Sequence, residues 1–493
     1  MKRPLIEYRL ARRVQAAALS TLILAGCAVG PDYSRPTADL PEEYHTTNIS
    51  TAAPLIDATW WRRFADSQLD ELVERAHKNN FDLRTAVARV EEAEGLAAEA
   101  SATYYPQIDL KASGTRTQPS GFNTNPPPAN VPRLQDSRKA SLSTSFEIDL
   151  WGKLRRANES ARADLLSTRY ARDALTLSIT GIVVGNYLAL RSVDASLALT
   201  DSTLDSRRKS LAIVRSRFEA GSASPLEINQ AESSLAAAEA QRSDLRRQRA
   251  LAENQLALLT GQPGLKIPAG DLRDLPFPPT PPAGLPSTLL EARPDIRQAE
   301  EALISANARI GVAKAAYFPT VTLTGIYGGE SAELANLFKS GANAWSLGLG
   351  AVMPLFDAGR TTARVDQATA RQKQALASYQ KSIHTAFKEV NDALVSLREY
   401  AEADLAQERR AKAAQSSLDI AQIRYEAGYS GFLEVLDAQR TSNDALLAFV
   451  ATRQARLNAN VDLFKAIGGG WKDEYKAVSL DNTGSHQEQT GQP

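Results

Sequence analysis

The sequence offers a single thiol. Cys27 is the only cysteine among 493 residues, so no disulfide can form within the chain, and what precedes the cysteine sets its chemistry. Lys2, Arg3, Arg9, Arg12 and Arg13 make a basic start, Val14 to Ala25 is apolar, and Leu24-Ala25-Gly26 leads into Cys27. The apolar run is too short to span a bilayer. Small residues directly before a cysteine suit cleavage after Gly26 and acylation of the new N-terminus. The expected modification is an N-acyl group and an S-diacylglycerol on Cys27, with no other cofactor. Ala28 stands where lipoproteins of the inner membrane carry a sorting aspartate, which points to outer-membrane delivery.

No catalytic or metal-binding set accompanies this thiol. His45, His77, His384 and His486 lie in unrelated contexts, and no HExxH, GxSxG or Walker pattern is present, so the chain does not read as an enzyme. Gly468-Gly469-Gly470 follows a helical pattern instead of preceding one, and reads as a helix stop, not a phosphate cradle. Lys plus Arg and Asp plus Glu both total 57. With that balance and no basic block interleaved with aromatics, nucleic acid is not an expected partner.

The elements that carry these residues come in duplicate. Asp82-Leu83-Arg84 to Tyr104-Tyr105-Pro106 recurs 213 residues later as Asp295-Ile296-Arg297 to Tyr317-Phe318-Pro319. Trp151-Gly152-Lys153 pairs with Ala358-Gly359-Arg360, and Arg217-Phe218-Glu219-Ala220-Gly221 with Arg424-Tyr425-Glu426-Ala427-Gly428, both at a spacing of 207. Each copy predicts a helix (67–103 and 295–316) that ends at an aromatic-proline step, because proline disfavours helix for the residue before it. A strand with period-2 alternation follows, and the return strands alternate more clearly still. Leu142, Thr144, Phe146, Ile148 and Leu150 face one way and Ser141, Ser143, Ser145, Glu147 and Asp149 the other, and Trp345, Leu347, Leu349, Ala351 and Met353 repeat the pattern. The loops between paired strands, Gly121–Pro132 and Gly328–Asn343, are rich in turn formers.

After each return strand comes a proline-free helical pattern, Lys153–Ala220 and Arg360–Ala427, on the order of 100 Å long at 1.5 Å per residue. Each ends at a glycine, Gly221 or Gly428, before a second helix returns over 225–260 or 432–466. Ala174–Leu190 is uncharged, but its counterpart in the second copy contains His384, Lys388, Glu389 and Asp392, so both read as packed helix and not as membrane spans. The domain reading is therefore a signal peptide (1–26), a lipidated N-terminal segment (27–66), repeat 1 (67–260), a Pro-rich connection on the outside of the structure (261–290), repeat 2 (291–467) and a polar tail (468–493). Four amphipathic strands cannot close a membrane barrel alone, since closed bacterial barrels need about eight or more, and open edges are not tolerated in lipid. Three chains would supply twelve.

Several segments resemble the outer membrane factor family of TolC and OprM, in its NodT-like lipoprotein subgroup. They are Gly30-Pro31-Asp32-Tyr33 after the lipobox, Trp60-Trp61-Arg62-Arg63-Phe64-Ala65-Asp66, LEARPDIRQAEEAL (290–303), RYEAGYSGFLEVLDAQR (424–440) and AIGGGW (466–471). The resemblance implies an α+β membrane protein: a TolC-like homotrimer with a 12-stranded transmembrane β-barrel, four strands per chain, continuous with a long periplasmic α-helical barrel and an equatorial mixed region. It implies an outer-membrane channel of a tripartite efflux system, seated in outer-membrane lipid and joined through a periplasmic membrane fusion (adaptor) protein to an inner-membrane RND-type pump. Members narrow the tunnel with a leucine ring and an aspartate ring, and the matching positions are Leu433 and Asp437. Gln230 replaces the carboxylate in the first copy, so hairpin geometry does not demand it; the plainer role for Asp437 is a pair with Arg440 at i+3. Arg424 and Tyr425 resemble the gate-latching pair, and Gly221 and Gly428 mark the tips where the family meets its adaptor. The rival reading, a periplasmic coiled-coil adaptor lipoprotein, requires one hairpin and no duplicated strands.

Overall fold

The computed structural model describes residues 28–37, 41, 57–120, 122, 132–281, 287 and 289–475. The signal segment, Cys27, most of the first strand loop and the tail after Tyr475 lie outside the described residues. Two compact units divide the chain, and each draws on both sequence repeats. A strand unit combines the N-terminal stretch to Pro36 with Glu91–Leu166 and Glu300–Ser378, and a helical unit takes Thr37–Val90, Ser167–Ala299 and everything from Tyr379.

The elements in order are α1 (Ser67–Asn79), α2 (Phe81–Ala102), β1 (Gln107–Thr117), β2 (Gln135–Ile148), α3 (Lys153–Glu219), α4 (Pro225–Leu259), the short α5 (Leu289–Ala292), α6 (Pro294–Ala315), β3 (Thr320–Ser331), β4 (Asn343–Val352), α7 (Arg360–Glu426) and α8 (Phe432–Ala466). The duplication is kept to the residue: α2 and α6 have 22 residues each, α3 and α7 have 67, and α4 and α8 have 35. The single helix expected over 67–103 is two helices. Asn80 interrupts it in an extended conformation; its Oδ1 accepts from the N–H groups of Asp82 and Leu83, capping α2, while its Nδ2 donates to the Leu259 carbonyl. A side chain that satisfies the orphan donors of a new helix start makes the break stable.

In the strand unit one antiparallel sheet runs β1-β2-β3-β4. Pro106 and Pro319 lie just before β1 and β3. The register aligns Leu110, Leu142, Tyr327 and Trp345 in one row and Ile108, Thr144, Gly325 and Leu347 in the next. Because side chains alternate across a sheet, one face is largely apolar, with Thr144 in its middle and Arg116, Asp136 and Arg138 at its loop end, and the opposite face carries Asp109, Lys111, Ser141, Ser143, Glu147, Thr322 and Thr324 together with Ile326. Leu110, Trp345, Leu347 and Leu349 are at least 70% exposed on the apolar face. The outer edges of β1 and β4 have no strand partner among the described residues.

The N-terminal stretch is stitched to this unit. Val29 N–H donates to the Trp151 carbonyl, Asn307 Nδ2 donates to the Pro31 carbonyl at 2.8 Å, and Arg156 pairs with Asp32 and Glu159. Arg35 grips Glu300 with two hydrogen bonds of 2.6 Å, and Tyr33 Oη donates to the same carboxylate. Gly30, at φ +117°, lies against Gly311 of α6, where a Cβ on Gly30 would stand 2.5 Å from the Gly311 Cα. Nearby, Trp151 stacks on Phe318 at 4.7 Å and its Nε1 donates to the Pro319 carbonyl.

In the helical unit Trp60 is buried and stacks on Phe464 of α8 at 5.2 Å, and Tyr187 donates to Asp66, the N-cap of α1. Helix α3 is the one described helix long and apolar enough to cross a membrane. One side of its apolar stretch is packed on protein: Val183, Val184, Tyr187, Leu188 and Leu190 are fully buried, while Ile182 is exposed. The connection after α4 is irregular but does not lie loosely on the outside, since Ile267, Leu272 and Leu275 are buried. Arg249 pairs with Asp194 and Glu253 and donates to the Ile267 carbonyl. Further along, the guanidinium groups of Arg453 and Arg456 sit 4.4 and 3.7 Å from the Phe277 ring centroid, close enough for cation–π attraction.

Glu253 gives this anchor a pH dependence. Burial disfavours its charge, but hydrogen bonds from Ile267 N–H, Lys266 and Arg249 outweigh burial and hold the carboxyl below its ordinary value. A carboxyl depressed in the folded state contributes stability above its unfolded pKa and loses it as pH falls through the folded one. Glu253→Gln is expected to lower stability by about 2 kcal/mol at neutral pH, with the gap to the parent closing in acid. Melting temperatures from pH 7 down to 3 would test this, and a constant gap would refute it.

Candidate gate and docking surface at the hairpin tips

Both tips close by the same main-chain bonds. After α3, Gly221 at φ +76° donates to the Phe218 carbonyl and Ser222 N–H to that of Arg217; after α7, Gly428 at φ +81° donates to Tyr425 and Tyr429 N–H to Arg424. This is the Schellman arrangement, which needs a left-handed residue at the turn. A Cβ at either glycine would meet nothing within 4 Å, so backbone conformation alone demands glycine.

Beneath the turns, Leu211, Val214, Ala231, Tyr425, Phe432 and Val435 form one buried cluster joining the two hairpins. Arg217 crosses from the first to the second. It donates to the carbonyls of Tyr425 and Glu426 at 2.8 and 3.0 Å, and its guanidinium lies 4.3 Å from the Tyr425 ring centroid. A cation there complements the negative end of α7. Burial pushes the Tyr425 phenol above its ordinary pKa, and the Arg217 charge works against that rise.

The four gate positions drawn from the resemblance fall in two environments. Tyr425 is inside the cluster, in contact with Arg217. Its neighbour Arg424 points outward and pairs with Glu434 at 3.2 Å. Leu433 and Asp437, one helical turn apart at the start of α8, are both exposed in the single chain, Leu433 at 68%. Asp437 pairs with Arg440 at 2.9 Å. The crossing role of Arg217 was not legible, because the sequence shows it only as the counterpart of Arg424. The docking of Gly30 was also missed, although a glycine inside a helical pattern, Gly311, was the available signal. Among the described residues no cluster of His, Cys, Asp and Glu could hold a metal ion.

Comparison with known proteins agrees with this architecture. The family model described as "Outer membrane efflux protein" matches residues 72–262 and 285–469. The solvent efflux pump outer membrane protein SrpC of Pseudomonas putida is 35% identical over 465 residues, covering 91% of this chain and 97% of that one. The cation efflux system protein CusC of Escherichia coli K12 is 34% identical over 468 residues, covering 91% and 97%. The open-state structure of the Neisseria gonorrhoeae MtrE outer membrane channel superimposes with a TM-score of 0.81 at 32% identity, covering 90% of this chain and 99% of that one. Duplicated strand pairs, paired long hairpins and these matches over nearly the full length together place the chain in the outer membrane efflux protein family.

Proposed function

We infer that the chain is the outer-membrane conduit of a tripartite efflux system, working as a homotrimer with a periplasmic adaptor and an inner-membrane RND-type pump. The observation that carries the trimer is the sheet: one face mostly apolar, the other mostly polar, and both edges without a strand partner among the described residues. In lipid those edges must pair. Three copies joined edge to edge put twelve strands around a polar lumen, with the apolar face toward the bilayer. Acylation of Cys27 adds a lipid anchor one residue before the docked stretch that starts at Ala28. The relatives named for solvents and for cations indicate that the duct does not choose its cargo, and that selection rests with the pump.

At the tips, the exposed pair Leu433 and Asp437 forms the constriction, one ring of leucine and one of carboxylate around the three-fold axis. Three like charges facing one axis repel and attract a multivalent cation. Arg424 and Tyr425 belong to the latch, and Gly221 and Gly428 to the adaptor-docking turns. Single-channel recording on Asp437→Ala and Leu433→Ala tests the gate. Both variants are expected to conduct more than the parent, and Asp437→Ala to lose block by multivalent cations. Unchanged conductance and unchanged block would exclude these residues as the constriction.

A further inference from the structure

The apolar face of the sheet ends in charge. On β2 its residues run from Ile148 up to Ala140, interrupted by Thr144, and the next residue on that side is Arg138; on β1 the same side ends at Arg116, opposite Asp136. The helices join the strands at one end and the loops at the other, so in the barrel these three residues mark the outward end. From Ile148 to Arg138 the strand rises roughly 34 Å at about 3.4 Å per residue. A tilt of about 40° reduces this to roughly 26 Å, which matches the apolar band of an outer-membrane barrel. Arg138 therefore stands where hydrocarbon gives way to headgroups.

The two arginines are not satisfied by the carboxylate between them. Asp136 Oδ1 lies 3.5 Å from Arg116 Nε and 3.6 Å from Arg138 Nη1, is shielded from solvent and closes no hydrogen bond. Neither guanidinium has another partner among the described residues. By contrast Lys139, next in sequence but on the polar face, pairs with Glu330 at 3.0 Å. The stem of Arg138 crosses toward β1, since a Cβ on Gly114 would stand 3.5 Å from its Cδ. Just below the arginines the loop between β3 and β4 (332–342) folds over the same face: a Cβ on Gly329, in the row of Ala140, would stand 2.2 Å from the Leu337 carbonyl oxygen, and Leu337 is buried. Between loop and sheet lies an open cavity of about 400 Å³, whose walls include Leu110, Leu142, Tyr327, Leu337 and the exposed Phe338.

We propose that this rim binds one phosphorylated lipid of the outer leaflet, with the phosphate held between Arg116 and Arg138 and an acyl chain in the cavity under the β3–β4 loop. The inference rests on the membrane barrel argued above and adds a ligand to its outer face. A guanidinium donates two parallel hydrogen bonds to phosphate oxygens, and such charge-assisted bonds are short and strong. Asp136 draws both arginines to one place without using their donors, and the rim keeps a net positive charge. Apolar wall and cationic rim follow one another in the order in which a membrane lipid presents its chain and its phosphate.

Titration of the full-length protein, purified in a non-ionic detergent, with lipid A and native mass spectrometry as the readout tests the site. Phosphorylated lipid A is expected to bind about tenfold or more tightly than the same lipid stripped of its phosphates, and Arg116→Gln and Arg138→Gln should each weaken binding about tenfold. Asp136→Asn removes a negative charge beside the phosphate and should tighten binding; weaker binding by that variant would overturn the arrangement. Lys139→Gln removes the same charge from the opposite face and should leave affinity unchanged, and an equal loss there would reduce the effect to overall charge and sink the site. Equal affinity for the two forms of the lipid, or for the parent and the double arginine variant, would overturn it as well. Displacement of the lipid by excess inorganic phosphate would assign the arginines to a free anion and overturn the lipid. A parent that fractionates away from the outer membrane would overturn the barrel itself, whereas an inserted oligomer with no preference for phosphorylated lipid overturns the site alone.

Discussion

Gly311→Val is expected to detach the N-terminal stretch from the strand unit and to lower stability by about 3 kcal/mol or more. A Cβ on Gly311 would stand 2.7 Å from the Val29 carbonyl oxygen and 2.8 Å from Arg156 Cγ. Neither neighbour is free to give way. Val29 is fixed by its own N–H bond to Trp151, and Arg156 is buried between Asp32 and Glu159. Displacing either leaves charged or main-chain groups without partners, a cost added to that of the clash. Limited proteolysis should then cut between Ala28 and Pro36 in the variant and not in the parent. Equal protection and an equal melting temperature would show that the glycine contact is dispensable.

The second large effect is expected at the tips. Arg217→Ala removes two hydrogen bonds to the end of α7 and the cation over Tyr425, a local loss of about 2–3 kcal/mol, and Tyr425→Ala should cost about 3–5 kcal/mol by emptying the centre of the cluster. The two substitutions touch one interaction, so their effects should fall short of additive. If the hairpins of one chain must separate for the duct to open, both variants also raise resting conductance. Hydrogen exchange at the ends of α3 and α7, recorded beside single-channel conductance, distinguishes the outcomes. Unchanged exchange would dismiss Arg217 as the clasp, and faster exchange with unchanged conductance would place the moving joint between chains instead.

Legibility in the sequence followed the range of the interaction responsible. The long helices were expected to end at Ala220 and Ala427 and end at Glu219 and Glu426, because glycines at positive φ mark those ends locally. Strand starts were legible for the same reason, through Pro106 and Pro319. The break at Asn80 was not, since the helix periodicity continues across it; the only local mark was an asparagine able to cap the new helix start, and its second bond goes to Leu259, 179 residues away. Arg217 reaching Tyr425, Asn307 reaching Pro31 and Arg249 holding the connection are likewise contacts between distant positions, which leave no mark on local composition. The fold class and the conduit role were readable from repetition and amphipathic faces. The environment of each proposed gate position was not, because Arg424 and Tyr425 are adjacent in sequence yet Arg424 is half exposed and Tyr425 is buried.

The main-chain closure of the second tip separates folding from recognition. Gly428 supplies the backbone angle, and the bonds that end α7 run between peptide groups, so Tyr429, 81% exposed beside them, contributes nothing to the turn except its own N–H. Any residue but proline can supply that donor. Position 429 is thus open to variation: the side chain at the apex can change while the hairpin keeps its shape.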